Sequence, residues 1–266
     1  MMEHLGWAVE DTIAGFWALG GETRTLNGAR LIRNRLAPHV AYCNVVTGLV
    51  ANGSGQVRAL LDDAVEWIGT AAEIYVGPRT SSATEATLLL EGWSPSQTQV
   101  EMVATDVIPA PRRRPAEIRP ARTSEDWACL EALFRMDHDE EARGAGTALR
   151  PIEYTTEAVT ARRVKLPSVA YWIARCEGQP CGFFASWARP GATMAMVEDL
   201  FVHSEFRGRG VATQLLHHAV TQARSRGIRP VLIRADAADW PKSFYARLGF
   251  RPVAVTRYYA WPSRTR

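Results

Sequence analysis

Residues 197–213 read VEDLFVHSEFRGRGVAT, and they carry the strongest indication of the fold. It begins as a short, largely apolar strand over 197–202 and then turns through a polar segment into two closely spaced glycines. A helix is predicted directly after the turn, because apolar residues repeat at helical spacing from Val211 to Ala223 before Gly227 and Pro230 end the pattern. A strand, a glycine turn and a helix in immediate succession predict an anion-binding site at the turn.

The chemistry of this turn suits a phosphate group. Backbone N–H groups at a helix N-terminus lack partners within the helix, and the helix dipole adds positive charge there. Glycine omits the Cβ that would hold phosphate oxygens away from the backbone, and Arg207 and Arg209 can add charge-assisted hydrogen bonds. The chain has no Gly-x-x-x-x-Gly-Lys-Ser/Thr string, and Thr213 stands where a Gly-x-Gly-x-x-Gly dinucleotide site requires its last glycine.

A family resemblance follows from the spacing of Arg207, Gly210 and Ala212. It fits the pattern Arg/Gln-x-x-Gly-x-Gly/Ala, and so resembles the pyrophosphate loop of the GNAT acetyltransferase family. The segment from Tyr245 to Phe250 is similar to the Tyr-x-x-x-Gly-Phe signature that closes the core of that family. Over residues 117–262 the resemblance implies the order β-α-(α)-β-β-β-α-β-α-β. The implied fold class is α/β (α+β), the GNAT acyl-CoA N-acyltransferase fold, with a mixed, mostly antiparallel sheet flanked by helices.

The length of 266 residues allows two domains. Repeated prolines after residue 108 predict a Pro/Arg-rich linker at 108–116, between a smaller domain at 1–107 and a catalytic GNAT domain at 117–266. Residues 52–65 align without a gap with 207–220, sharing both glycines and a Leu-Leu-x-x-Ala-Val stripe. The first half therefore resembles a degenerate GNAT copy of a tandem protein. Because Leu88 stands in the tyrosine position, we expect no catalysis there, and whether this half binds CoA stays open.

The resemblance implies direct acyl transfer from acetyl-CoA, as co-substrate, to a primary amine of a small molecule or protein, with no metal. An alkyl ammonium, with a pKa of roughly 10.4, must lose a proton before it attacks. Glu198 is the candidate base, and Asp199 is the second choice because a bulge, common in this strand of the family, would exchange the two. The N–H of Phe201 or Val202 is the candidate oxyanion donor. Tyr245 is the candidate proton donor to the leaving thiolate, with Phe244 beside it as the expected core residue.

Two sets of binding residues follow from the resemblance. The pantetheine arm is expected along the end of the strand, and the phosphates at the turn. The predicted CoA-binding residues are Leu200, Phe201, Val202, Arg207, Gly208, Arg209, Gly210, Val211, Ala212, Thr213 and Tyr245. An acidic run after the predicted first helix of the second domain falls where family members contact substrate, and it suits a cationic amine. It comprises Asp137, His138, Asp139 and Glu140, for which a solvated loop is the alternative interpretation.

Composition limits the remaining possibilities. With 47% hydrophobic and 22% charged residues, the chain is not of the disordered class. The net charge of +3 is mild and only residues 112–114 form an arginine run, so we expect no nucleic-acid partner. No apolar run approaches the roughly 20 residues that span a bilayer, and no signal peptide is recognised, which predicts a cytoplasmic protein with no membrane partner. We expect a monomer or a homodimer. The alternatives are a non-catalytic acyl-CoA sensor, a related enzyme using another acyl-CoA or acceptor, and a nucleic-acid binder.

Overall fold

The computed structural model describes residues 2–50, 53–69, 72–113, 115–188 and 191–261. The helices are α1 (Met2–Ala18), α2 (Ser54–Ile68), α3 (Ser82–Leu90), α4 (Ser124–Gly144), α5 (Ile152–Arg163), α6 (Val211–Ser225) and α7 (Pro241–Arg247). The strands are β1 (Glu22–Leu26), β2 (Ala29–Arg33), β3 (Val45–Thr47), β4 (Glu73–Val76), β5 (Ser94–Ala104), β6 (Glu117–Pro120), β7 (Ala170–Cys176), β8 (Gln179–Ala188), β9 (Ala195–Val202), β10 (Val231–Asp236) and β11 (Arg251–Ala260). Among these helices none is both long and apolar enough to cross a bilayer.

The chain forms two compact units that interleave in sequence. Among the described residues, unit 1 comprises 2–102, 234–244 and 252–261, and unit 2 comprises 103–233 and 245–251. The domain boundaries at 1–107, 108–116 and 117–266 stay a prediction, and the compact units follow a different partition. The final strand shows the difference, because β11 was expected to complete the second domain. It lies instead in unit 1, antiparallel to β4, with Tyr258 opposite Tyr75.

Unit 1 contains a sheet with the order β1-β2-β3-β4-β11-β5. Strands β3 and β4 run parallel, whereas the pairs β1–β2, β2–β3 and β4–β11 run antiparallel. Helices α2 and α3 contribute apolar faces to a core that also takes one side chain from β11. Its members include Leu31, Val46, Leu60, Leu61, Ile74, Leu88, Trp93 and Tyr259.

A buried polar group ties the late strands of unit 1 together. Glu101 of β5 is fully buried, and one of its oxygens accepts hydrogen bonds from Arg234 at 3.2 Å and from Thr256 at 2.6 Å. Arg234 also donates to the Tyr258 hydroxyl at 2.8 Å. A buried carboxylate is tolerated when a cation and further donors face it. These hydrogen bonds therefore connect the strands of this unit to one another, in addition to the packing of the apolar core.

Unit 2 has the strand order β10-β9-β8-β7-β6. Strands β6 to β9 are antiparallel neighbours, and β9 pairs in parallel with β10 at Ala195 and Met196. From β6 to β11 the elements follow the order β-α-α-β-β-β-α-β-α-β. The predicted fold class, a mixed and mostly antiparallel sheet flanked by helices, is confirmed. Phe134, Phe183 and Phe201 pack in series at the centre of this unit, with ring centroids 4.3 and 5.7 Å apart.

The predicted linker lies against α6. The Gln214 side chain accepts from the Ala116 N–H at 3.1 Å and donates to the Ala116 carbonyl at 2.6 Å. His217 Nδ1 lies 3.3 Å from the carbonyl of Ile108. Arg112 and Arg113 are exposed, and Arg114 lies outside the described residues. The segment between the two predicted domains is thus anchored at both of its ends to one helix of unit 2.

The sequence repeat has a partial structural counterpart. Helix α6 begins after Gly210 (φ 91°), whereas α2 begins after Gly53 (φ 100°), two residues earlier than the ungapped alignment implies. Gly55, which the alignment places opposite Gly210, is therefore inside α2. The shared apolar stripe is buried in both helices, as Leu60, Leu61 and Ala64 and as Leu215, Leu216 and Ala219. The apolar face of the helix therefore repeats, whereas Gly55 does not take the position that Gly210 has before α6. Asn52, opposite Arg207, lies outside the described residues.

The ends of α3 and α7 repeat more closely. The N–H of Trp93 donates to the Leu88 carbonyl at 3.0 Å, and the N–H of Phe250 donates to the Tyr245 carbonyl at 3.1 Å. In both turns the glycine before the aromatic residue has a positive φ, 89° in the first and 100° in the second. This is the glycine-terminated helix end in which the chain folds back onto the last turn. The two halves therefore share this turn, although only the second carries a tyrosine in it.

Candidate active site

A bulge interrupts β9 at the predicted catalytic carboxylates. Phe201 lies opposite Phe183 and Glu198 lies opposite Ala185, so β9 has one more residue than β8 over this span. Asp199 has a φ of +56°, in the left-handed region that non-glycine residues rarely adopt. Such bulges re-aim side chains beside functional sites. The bulge that the sequence analysis allowed for is thus present, and it separates the surroundings of the two adjacent acids.

Asp199 forms a buried ion pair with Arg162 of α5. The guanidinium donates from Nε to one carboxylate oxygen at 2.8 Å and from Nη2 to the other at 2.6 Å. The two side chains are only 5% and 7% exposed, and Arg162 also donates to the Ala158 carbonyl at 3.0 Å. Both Asp199 oxygens are therefore engaged by one cation. Glu198 is half-buried and lies outside this ion pair, which favours it as the base.

Sequence reasoning missed Arg162. It stands in the last turn of α5, where a basic residue is ordinarily explained by the helix dipole. Nothing in its neighbours along the chain indicates that its guanidinium is buried. Only the tertiary contact with Asp199, at a separation of 37 residues, shows its role.

The backbone of β9 distinguishes the two candidate oxyanion donors. The N–H of His203 donates to the Cys181 carbonyl at 3.0 Å, and Val202 lies opposite Gly182. In an antiparallel pair, residues alternate between those bonded to the neighbouring strand and those whose backbone groups point away from it. The N–H and carbonyl of Val202 therefore point away from β8, and the carbonyl accepts from Arg207 Nε at 2.8 Å. By this alternation Val202, rather than Phe201, directs its N–H away from β8.

The glycine loop leaves a cradle at the start of α6. Gly208 and Gly210 have φ values of 73° and 91°, and no heavy atom lies within 4 Å of the position a Cβ would take on either. The first bond along α6 runs from the Gln214 N–H to the Gly210 carbonyl at 3.0 Å, and no side chain caps the helix. The N–H groups of residues 211–213 thus have no partner within the helix. The N–H groups without a helical partner, together with the space beside the two glycines, fit a pyrophosphate.

The two arginines of the loop have different surroundings. Arg207 donates to the Val202 carbonyl and forms an ion pair with Glu140, which also accepts from the Ser204 N–H at 3.4 Å. Arg207 therefore braces the loop against β9 and α4. The exposed guanidinium of Arg209 lies over the Phe206 ring, 5.2 Å from its centroid, and no carboxylate pairs with it in the part of the chain that the structure describes. Arg209 is the cation of the loop that a phosphate can reach.

The acidic run lies within α4, so its predicted position after the helix is wrong. A capping box between Thr123 and Asp126 starts the helix, and no glycine or proline interrupts it before Gly144. His138 is buried, with Nδ1 2.8 Å from Thr155 Oγ1, and Asp139 pairs with Arg135 at 2.6 Å. Glu140 contacts the glycine loop. His138, Asp139 and Glu140 therefore have partners within unit 2, so a solvated loop does not describe their positions, and their role in substrate binding stays a prediction.

Asp137 is the remaining member of the run. The pKa of its carboxyl is raised to about 8, chiefly by burial and also by the charges of Glu141 and Asp199, against the lowering effect of Arg162. No hydrogen bond or ion pair to this carboxyl occurs within the described residues. Burial also lowers the pKa of His138 to about 4, and Arg162 and Arg150 act in the same direction. At neutral pH this part of α4 therefore holds a protonated carboxyl beside an uncharged imidazole.

Asp137 should make stability depend on pH. Its pKa rises from 3.8 to about 8 on folding, so the native state binds an extra proton between those values and the free energy of unfolding falls as pH rises through that window. Asp137→Asn should gain stability relative to wild type between about pH 5 and about pH 8 in urea unfolding. Asp139→Asn is the control for an acid held in an ion pair. An identical wild-type-to-variant difference at both pH values would contradict the assignment.

Tyr245 lies in α7 and is buried, whereas Phe244 beside it is half-buried. This reverses the expectation that Phe244 would be the core residue of the two. The Tyr245 ring packs 6.1 Å from that of Phe250, and its carbonyl accepts from the Phe250 N–H. The helix end thus fixes the Tyr245 backbone. Its role as proton donor stays a prediction.

Comparison with known proteins agrees with this geometry. Residues 167–252, which include β9, the glycine loop and α6, match the acetyltransferase (GNAT) domain model. An uncharacterized N-acetyltransferase from Methanocaldococcus jannaschii is 31% identical over 93 residues, which are 33% of this chain and 41% of that protein. The chain spans about two fifths of the length of the curated relatives that it matches. These matches support a transferase.

Solved structures extend the likeness in fold beyond the matched domain. A GCN5-related N-acetyltransferase from Kribbella flavida is 12% identical, with a TM-score of 0.70 covering 99% of this chain and 96% of that one. A tandem GNAT protein from the clavulanic acid biosynthesis pathway is 17% identical, with a TM-score of 0.58 covering 87% of this chain and 77% of that one. Residues 167–252 therefore match a GNAT acetyltransferase domain, in a chain that shares its fold with a solved GNAT protein over nearly its full length.

Proposed function

We propose that the protein is an acetyl-CoA-dependent N-acetyltransferase that transfers an acetyl group directly to a primary amine of a small molecule or protein. One observation carries this proposal: a bulged strand, a glycine loop and a helix follow one another within the matched domain. The first three N–H groups of that helix have no partner within it. The loop and Arg209 offer donors and positive charge for a pyrophosphate. In this proposal the bulged strand supplies Glu198 as the carboxylate and Val202 as the source of the backbone N–H.

The first part of the mechanism prepares the amine. Acetyl-CoA, when bound, supplies an acetyl thioester. The N–H groups of residues 211–213, with the space beside Gly208 and Gly210, hold its pyrophosphate. Glu198 takes a proton from the substrate ammonium, directly or through water, and passes it to solvent. This step is needed because an ammonium with a pKa of roughly 10.4 has no lone pair for attack at neutral pH.

The second part forms the amide and releases the thiol. As the amine nitrogen bonds to the carbonyl carbon, the Val202 N–H donates to the oxygen on which negative charge develops. Tyr245 gives its proton to the sulfur as the carbon–sulfur bond breaks, because a thiolate with a pKa near 8.5 leaves more readily when a hydroxyl donates to it. The second proton of the nitrogen restores the tyrosine. The products are the acetylated amine, the thiol of CoA and one proton released to solvent.

We propose further that the first half is a degenerate GNAT copy in a tandem protein. It shares the turn at Trp93, but Leu88 replaces the tyrosine there and Gly55 is absorbed into α2. A leucine side chain has no proton to give to a thiolate. We therefore assign acetyl transfer to unit 2, and we propose a cytoplasmic monomer or homodimer without nucleic-acid or membrane partners.

The test measures thiol release by the full chain from acetyl-CoA with free amino acids, polyamines and a lysine-containing peptide as acceptors. Glu198→Gln should lower kcat by ~100-fold or more while leaving acetyl-CoA affinity within about 2-fold, because general base catalysis is typically worth that much. Glu205→Gln, an exposed acid beside the loop, is the matched control and should keep full activity. Acetyl-CoA binding without turnover on any acceptor would favour a sensor and overturn the proposal.

A further inference from the structure

A second candidate site lies in unit 1. A cavity of about 270 Å³ opens between α1, β2 and the segment after β3. Charged and polar residues in its wall include Glu10, Asp11, Arg30, Thr47 and Arg79. The cavity is smaller than the ~300–1,000 Å³ typical of sites for drug-sized ligands, so it suits a smaller molecule.

Glu10 is the unusual member of this wall. Its side chain is 1% exposed, and Oε2 accepts from the Arg79 N–H at 3.2 Å. Oε1 has no hydrogen-bond partner among the described residues. Burial raises the pKa of this carboxyl, and the N–H groups of Arg79 and Gly48 lower it only in part. A buried carboxylate with one oxygen unfilled is costly unless something completes it.

The surrounding chain is shaped to keep the carboxyl in place. A Cβ on Gly77 would lie 2.9 Å from the Glu10 carboxyl and 2.6 Å from the Tyr75 ring, so a side chain at Gly77 would displace one of them. The carboxyl is thus held between α1 and the segment that follows β4. The absence of a side chain at Gly77 therefore leaves the space that the buried carboxyl occupies.

The cavity wall contains three further charged residues. Two of them, Arg79 and Asp11, form an ion pair, and the third is Arg30. Arg79 and Asp11 form a two-point ion pair at 2.6 and 2.9 Å, and the Arg79 guanidinium lies over the Trp7 ring. Arg30 of β2 is exposed and has no ion-pair partner in the described ranges. The wall therefore offers a buried carboxyl with one oxygen that lacks a hydrogen-bond donor, and an exposed cation that lacks an ion-pair partner, among the described residues.

We propose that this cavity binds a small zwitterion, a free amino acid with a short side chain. The ammonium group would face Glu10 and the carboxylate would face Arg30, because a ligand with both charges compensates both groups at once. Ala14, Ala29 and Val50 give the wall apolar area for a short side chain. This site belongs to unit 1 and does not depend on acetyl transfer.

The experiment titrates the standard L-amino acids, one at a time, into the full chain and follows saturation-transfer NMR and the thermal midpoint. At least one short amino acid should bind and raise Tm at ~10 mM ligand. Glu10→Gln keeps the shape and the acceptor for the Arg79 N–H, and it should weaken binding ~10-fold or more. Arg30→Gln should do the same from the exposed side. Arg24→Gln, on the neighbouring strand and outside the cavity wall, is the matched control and should bind normally.

Three outcomes would overturn the proposal. The first is that no amino acid binds at ~10 mM. The second is binding that Arg30→Gln leaves unchanged, a variant whose exposed position makes misfolding an inadequate explanation. The third is methylammonium chloride binding as tightly as the best amino acid, which would make the cavity a cation site without a role for Arg30. Because the readout is binding in unit 1, failure here leaves the acetyl-transfer proposal standing.

Discussion

Replacing Gly210 by glutamate should abolish acetyl-CoA binding, with affinity at least ~100-fold weaker. Gly210 has a φ of 91° and forms the N-cap of α6, beside open space. A side chain there fills the cradle proposed for the pyrophosphate and forces an L-residue into strained backbone. Its carboxylate also places negative charge against the N–H groups that a phosphate needs. Calorimetric titration of acetyl-CoA into wild type and variant measures the loss.

Gly227→Glu is the matched control for this change. Gly227 follows α6 at its opposite end, has a φ of 74°, and likewise has no heavy atom within 4 Å of its Cβ position. Its substitution brings the same strain and charge far from the loop, so acetyl-CoA affinity should stay within about 2-fold. Equal loss in both variants would show that strain, rather than the loop, controls binding. Two acetyl-CoA sites per wild-type chain would show that the first half also binds CoA, which the sequence leaves open.

Arg162→Met should lower the free energy of unfolding by about 3–5 kcal/mol, because removing one partner of a buried ion pair leaves the other charge uncompensated. The pair with Asp199 is bidentate, and both side chains are almost fully buried. Asp199 also has a left-handed backbone at the bulge, which the ion pair helps to hold. Urea unfolding of wild type and variant, with slopes compared, measures the difference.

Two further variants make this prediction specific. Arg135→Met removes a partly exposed pair within α4, and should cost only about 0–1 kcal/mol. The double change Arg162→Met with Asp199→Asn removes the stranded charge and should recover much of the lost stability. A loss for Arg162→Met no larger than for Arg135→Met would mean that the buried pair does not hold this region. So would a double variant no more stable than the single one.

The candidate site was predictable where its parts are close in sequence. The glycine loop, the start of α6 and the glycine-ended turn at Phe250 are each specified within a few residues, and the structure contains all three. The acidic run was misplaced because nothing in its sequence marks a helix end, and Asp139 gains its partners one turn away on the same helix. Glu198 and Asp199 are not separable from sequence, because a bulge would exchange them and the ion pair of Asp199 is made with the distant Arg162.

The order of the elements from β6 to β11 and the position of the glycine loop follow from the sequence alone. Both rest on periodicity, on caps and on glycines at positive φ, which depend on neighbours along the chain. Three features are visible only in the folded chain: β11 pairs with β4, Arg162 is buried against Asp199, and one oxygen of the buried Glu10 carboxyl lacks a hydrogen-bond partner among the described residues. The alternation of apolar and polar residues along a strand specifies which of its faces is buried, but not which strand it pairs with. An ion pair requires only opposite charges, so the sequence does not specify which acid a given arginine contacts. The partner is chosen by the packing that brings distant segments together.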